Sequence, residues 1–335
     1  METVLVLAHV EADSALGKPA LEALTAARSL GGEIVVGLVG GEAQAAADQI
    51  AGCGATRILT VTGDAFTQSR YCTDAAAAEA LCRAAAAPIV IAPSTTRWAR
   101  ALPGVAYRLG GRVDTHAANL SVRDGAPAVT RWFYRQRMEA VLMRTERPWV
   151  MLVDPGCYAP WSGAPGTATV EAVAVEAPPC RTTVVGVRAP KADEQTIRPE
   201  ADLLFVAGAG WTKKQADGAA HAAEAASLIL GFLRAAKASL GGSKSLVDLS
   251  GEGEAVLPFM THLNQIGQTG ATPRHPKGLS TCCHGEEPHV VGWRFVNQRR
   301  AINLDPNCGW ARGKADVLYV ADAFEVMRKV NELLG

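Results

Sequence analysis

The sequence predicts an α/β protein of two domains, the first built on a parallel sheet with an antiparallel extension. Three observations support this. The 335 residues are about twice an ordinary domain. Short runs of Val, Ile and Leu alternate with alanine-rich amphipathic stretches up to residue 93 and again after residue 200, as expected of strands buried on both faces by crossover helices. Between these regions, Asp124-Gly125 separates two strand-like runs, the signature of a tight hairpin.

The elements follow in order. Thr3–Val10 is expected as the first strand, and Pro19 to Leu30 as an amphipathic helix ending at Gly31-Gly32. A strand over Glu33–Val39, a helix over Ala43–Ala51 stopped by Gly52, and a strand over Arg57–Val61 come next. Thr73 is placed to cap a helix over Asp74–Ala86, because its hydroxyl can accept from the first free amides. Pro88 opens the buried strand PIVIAP. Antiparallel strands flank Asp124-Gly125. Residues Asp154 to Pro199 are rich in Pro, Gly, Ala and Thr. Their runs VEAVAVEA and TTVVGVRAP suggest one or two strands followed by a linker.

The second domain is expected to begin near Glu200 with the strand in ADLLFVAGAG. A long helix over Ala216–Ser239, a short strand at Leu246-Val247 and a helix over Ala255–Gln265 follow. HVVGW, RRAINL and Val317–Val320 read as strands, and Ala321–Leu334 as a closing helix.

Composition narrows the function classes. Lys plus Arg and Asp plus Glu are 33 each, which argues against charge-driven binding to nucleic acid or anionic membrane. METVLVLAHV lacks a basic leader and reads as a strand. The longest apolar stretch, AASLILGFLRAAKASL, is broken by Arg234 and Lys237, short of a membrane span. A cytoplasmic location is expected. The eight cysteines include no Cys-x-x-Cys pair, so most are expected as buried small hydrophobes. Cys282, Cys283 and Cys308 are the exceptions to weigh.

The chemistry-bearing stretch is Gln265–Pro306. A Gly-Gln-Thr-Gly turn leads into CCHGEEPH, and AINLDP closes it. Gly267, Gly270 and Gly285 let backbone amides approach a large polar ligand closely. Cys282, Cys283, His284, His289 and Cys308, with His262 and His275, could also hold a metal or an iron–sulfur cluster. Their spacing lacks the usual paired ligands, and a vicinal Cys-Cys cannot easily turn both thiolates to one ion. HGEEPH is not His-Glu-x-x-His, and Pro288 would break the helix that motif needs. His9 and His116 read as core or loop residues.

These motifs, taken in order, resemble the electron-transfer flavoprotein α subunit. LLFVAGAG, GGSKSLVD, IGQTG, AINLDP and VADAFEVMRKV all have counterparts in that family's flavin-binding domain. The chain is similar to it as a divergent member. Gly210 stands where the family has a turn arginine, Lys244 where it has another arginine, and HGEEPH replaces Ser-Gly-Ala-Ile-Gln-His.

The resemblance implies an N-terminal α/β domain over residues 1–198 and a doubly wound FAD-binding α/β domain over 199–335. It implies a heterodimer with a β subunit, taking electrons from a dehydrogenase and passing them to a quinone reductase or another acceptor, with no substrate turnover of its own. The implied FAD contacts are Ser243, Lys244, Ile266, Gly267, Gln268, Thr269, His284, Gly285, Glu286, Glu287, Pro288, His289, Asn303, Asp322 and Ala323. Lys244 would favour the reduced, anionic flavin; Thr269 would meet N5, and His289 would meet N1 and the C2 carbonyl. Two other readings remain open: a structural or docking subunit of a dehydrogenase complex with altered or absent flavin, and a Cys/His metal or iron–sulfur derivative.

Overall fold

A computed structural model describes residues 2–133, 138–186, 197–198, 200–248, 256–266, 274–281, 296–307 and 315–335. The chain divides into two compact units, Met1–Val187 and Arg188–Gly335.

In the first unit the order is β1 (Val4–His9), α1 (Lys18–Arg28), β2 (Ile34–Gly40), α2 (Gln44–Gln49), β3 (Ala55–Thr62), α3 (Tyr71–Ala85), β4 (Ile89–Pro93) and α4 (Thr96–Arg108). There follow β5 (Arg112–Arg123), β6 (Ala126–Phe133), β7 (Met138–Leu142), β8 (Trp149–Val153) and β9 (Glu171–Ala172). They form one sheet ordered β7-β6-β5-β8-β4-β1-β2-β3-β9. From β5 to β9 all neighbours are parallel, and β6 and β7 add the antiparallel extension.

Strand periodicity explains the two layers. Val4, Val6 and Ala8 of β1 face α1 and α2, while Leu5 and Leu7 face α3 and α4. Every residue of β1 and β2 is buried, so each strand reads as a continuous apolar run. The expected hairpin is present, with Asp124 and Gly125 at φ 50° and 78°. Those left-handed values are what a two-residue turn matched to strand twist requires.

Several expectations are corrected. Thr73 does not cap α3: that helix starts at Tyr71, and the Thr73 hydroxyl donates back to the Arg70 carbonyl. VEAVAVEA supplies only the two residues of β9, and 173–186 contains no regular element. Val173 donates to the Thr60 carbonyl and Val175 packs on the core; Pro178-Pro179 then brings no amide to extend the ladder. Nothing in the sequence reading marks α4. Its Pro103-Gly104 pair is a breaker signal, overridden by the burial of Trp98, Ala101, Leu102, Val105 and Ala106.

The second unit contains β10 (Leu203–Ala207), α5 (Ala222–Ala236), β11 (Ser239–Gly242), α6 (Lys244–Asp248), β12 (His275–Thr281), β13 (Val296–Asn303), β14 (Val317–Val320) and α7 (Ala323–Leu334). Its sheet is parallel throughout, in the order β11-β10-β12-β13-β14. Phe205 and Ala207 pack with α5 and α7; Leu204 and Val206 pack on the opposite face with Ile266, Val296 and Ala301. The α/β class with two parallel-rich sheets therefore holds.

Here too the local expectations shift. The long helix contracts to α5, because Lys237 turns left-handed at its end. Leu246-Val247 is helical, not a strand: Ser243 Oγ accepts from the Leu246 amide and starts α6. The helix expected over Ala255–Gln265 appears, among its described residues, only as the single turn His262–Asn264. Its cap and its third residue satisfy each other, since Asn264 Oδ1 accepts from the Thr261 amide. β12 was not foreseen, with Pro276 and Gly278 within it. HVVGW lies outside the described residues.

One carboxylate ties the parallel and antiparallel parts of the first sheet together. Asp114 on β5 is 1% exposed. It accepts from Arg131 on β6 (2.8 Å), from Arg144 after β7, and from the Trp149 indole on β8 (2.9 Å). Burial pushes its pKa up, but the bonds from Arg144, Trp149 and Arg131 outweigh that and hold it below the usual carboxylate value.

A covalent tie joins Cys72, the second residue of α3, to Cys180. Cys53 and Cys82 are free. The cross-link was not anticipated, and the three cysteines singled out in the sequence lie outside the described residues.

Removing Asp114 leaves two arginines and an indole facing one another with no acceptor. We expect Asp114→Ala to cost about 3–5 kcal/mol in urea unfolding. The sign with pH is fixed by the lowered pKa. The stabilisation is complete above the unfolded value of ~3.9 and disappears as pH falls through the folded one. The gap between wild type and Asp114→Asn should therefore close in acid.

Candidate functional site

Where the winding direction of a parallel-stranded sheet reverses, the carboxyl ends of the strands diverge and leave a crevice. In the second unit the reversal lies between β10 and β12.

The implied contacts come from five separate stretches of chain. Six are described, and they gather at the carboxyl ends of this sheet. Ser243 and Lys244 follow β11, Ile266 lies beside the end of β11, Asn303 is the last residue of β13, and Asp322 and Ala323 follow β14. Gly267, Gln268, Thr269, His284, Gly285, Glu286, Glu287, Pro288 and His289 lie outside the described residues.

Local chemistry explains each position. Ser243 is buried and is spent on the α6 cap. Asp322 caps α7 through the Glu325 amide, at 3.0 Å. The Asn303 amide donates to the Asp305 carbonyl and shapes the turn after β13. Ile266 is buried, and its amide donates to the Gly242 carbonyl. Gly241 has no room for a side chain: a Cβ would come within 2.5 Å of an Ile266 methyl carbon. Lys244 remains half-exposed, with a loose pair to Asp248 at 3.6 Å. The edge thus offers the amide end of α6, one cation and the polar Asn303.

The reversal point has an anchor that the sequence did not announce. After β10 the chain makes a single turn over Ala209–Trp211. The Trp211 indole is fully buried, donates to Thr281 Oγ1 at 2.8 Å at the end of β12, and lies against Phe324 of α7. Thr281 passes the link on to the Val206 carbonyl. The only hint in the sequence was a tryptophan directly after the glycine turn.

The first unit reverses between β1 and β4. A cleft of about 330 Å³ opens there, with His9, Glu11, Thr95 and Arg97 in its wall. His9 is a core residue, as expected, its ring tilted 56° against that of Trp98 with the centroids 3.8 Å apart. Burial first, and then the Arg97 charge, push its pKa well down, so the imidazole is neutral at pH 7. Beneath it Asp74 is wholly buried, with Arg97 and Arg100 on its two oxygens. Burial raises the Asp74 carboxyl despite both arginines. His116, by contrast, is exposed and lies 3.4 Å from the Asp154 carboxylate, whose hydrogen bond raises its pKa.

Of the residues weighed for a metal centre, His262 lies 2.9 Å from Asp248, and buried His275 lies 2.9 Å from the Arg198 carbonyl. Among the described residues no group of three or more His, Cys, Asp or Glu is placed to hold a metal ion. Among them, too, no helix is long and apolar enough to cross a membrane.

The family model described as electron transfer flavoprotein domain matches residues 4–179, just over half the chain. It covers the first unit and none of the gathered residues of the second. No curated protein matches the chain.

Asp322 caps α7 whatever else it does. Asp322→Ala should cost about 0.5–2 kcal/mol of stability, measured by thermal or urea unfolding in protein stripped of small molecules. No loss there would mean that its place in the fold is not set by the cap.

Proposed function

Because the chain belongs to the electron-transfer flavoprotein family, we propose that it is the α subunit of such a flavoprotein. In this reading it binds FAD at the carboxyl edge of its second sheet and pairs with a β subunit. It carries electrons in the cytoplasm from a dehydrogenase to a quinone reductase or another acceptor.

The observation that carries the reading is convergence. Residues at 243–244, 266, 303 and 322–323 are those the family resemblance implies, and they meet along one edge of one parallel sheet. That edge lies beside the reversal between β10 and β12, where open α/β sheets take their ligands. The donor set suits the cofactor. The Asp322 carboxylate already caps the α7 amide end, so an anionic diphosphate is favoured at the start of α6, where Lys244 adds the cation. FAD, when bound, supplies reversible acceptance of electrons. The chain's part is to hold it, to exclude water through the buried Ile266 and Ala323, and to set the charge around it.

The structural-subunit reading differs in one measurable respect. A yellow protein, co-purified with its β partner, should show flavin absorption bands and release FAD on denaturation; the absence of flavin after denaturation would overturn the proposal. Lys244→Ala should bind FAD more weakly and make its two-electron midpoint about 20–40 mV more negative, equivalent to roughly 1–2 kcal/mol. An unchanged potential would remove Lys244 from the site.

A further inference from the structure

We propose that the Cys72–Cys180 bond is a reversible redox latch that fastens residues 171–186 to the first unit as a strap.

The strap has two kinds of fastening. The first is non-covalent and ends early. Glu171 receives a forked pair of bonds from Arg57, Val173 donates to the Thr60 carbonyl, and Val173 and Val175 rest on the α3–α4 side of the core. The second is the bond from Cys180 to Cys72 on α3. Between and beyond these, residues 176–179 and 181–186 make no hydrogen bond to the rest of the unit and belong to no helix or strand. Most of them are exposed. Opening the bond therefore moves the last attachment of the strap from Cys180 back to Val175.

The two sulfurs are unequal in a way that suits reversible chemistry. Cys72 lies in the first turn of a 15-residue helix whose N-cap, Arg70, supplies no side-chain hydrogen bond. Free amides and the helix dipole there favour a thiolate on Cys72, which makes it the better leaving group. Cys180 is half-buried in irregular chain, next to exposed Arg181. A dithiol reductant attacks Cys180 Sγ, the Sγ–Sγ bond breaks, and Cys72 leaves as thiolate and takes a proton. The second thiol of the reductant then displaces Cys180 as its thiol and closes its own disulfide. Two electrons and two protons pass from the dithiol to the two cysteines. By contrast Cys82 is buried on α3, where burial pushes its thiol up to about 12, and it stays out of the exchange.

The test uses the full-length chain equilibrated with oxidised or reduced dithiothreitol. Alkylation and peptide mass spectrometry should find Cys72 and Cys180 joined in the first and both labelled in the second. Trypsin cleavage after Arg181 should speed up by about tenfold or more on reduction, tracking the population of the open strap, and hydrogen exchange of the Val173 amide, which donates to the Thr60 carbonyl, should rise with it. Exchange in β1, β2 and β4 should stay unchanged. Cys180→Ser and Cys72→Ser should both behave like reduced protein in either buffer. Separate thiols in the oxidised sample would overturn the proposal. So would a bond that forms while strap exchange and Arg181 cleavage remain the same in both buffers.

Discussion

Parallel strands covered on both faces leave a protein only the ends of its sheet for chemistry, and both units obey that constraint. Alternate residues of β1 feed separate helix layers, as do alternate residues of β10. Neither face of β1 or of β10 is free to meet a large ligand without exposing apolar surface. What can vary are the turns where strands hand over to helices, and there the amide groups point outward. Among the described candidate residues of the second unit, Ser243, Lys244, Asp322 and Ala323 stand at such turns. Several serve the fold first: Ser243 and Asp322 cap helices, and Asn303 shapes a turn. A residue in this class of site is positioned by the same hydrogen bond that begins the next helix.

Where the first sheet stops being parallel, a different solution appears. A hairpin strand such as β6 has no helix crossover to fix its place. The charge cluster around Asp114 fixes it instead, since one carboxylate can accept from neighbours on several strands at once. Arg131 and Arg144 are only partly exposed, so solvent does not screen the cluster strongly. Extending the sheet thus introduced a buried charge, and three donors offset the cost of burying it.

The sequence revealed elements wherever periodicity alone decides. β1, β2, β4, β14 and the Asp124-Gly125 hairpin were all legible for that reason. It misled where tertiary contacts override local preference. α4 forms across Pro103-Gly104 because five of its side chains are needed in the core. VEAVAVEA alternates like a strand but finds only two residues' worth of partner on β3. Leu246-Val247 looks like a strand until Ser243 is recognised as a cap. The candidate site was legible as motifs and not as geometry. IGQTG and AINLDP named the neighbourhood, yet nothing local said that the Trp211 indole would be buried and hydrogen-bonded at the turn after β10. That indole ties β10, β12 and α7 together, so the turn is held by packing.

The bond between Cys72 and Cys180 also has a mechanical meaning. It closes a covalent ring across a sequence separation of 108 residues, enclosing most of α3 and all of β4 to β9. A force applied at the two ends of the chain passes through the sulfur bridge and bypasses everything inside the ring. Roughly 350–390 Å of contour length, at 3.3–3.6 Å per residue, is therefore withheld from extension while the bridge is closed. Under load, β1 to β3 can be drawn out, but the half of the sheet that carries Asp114 cannot.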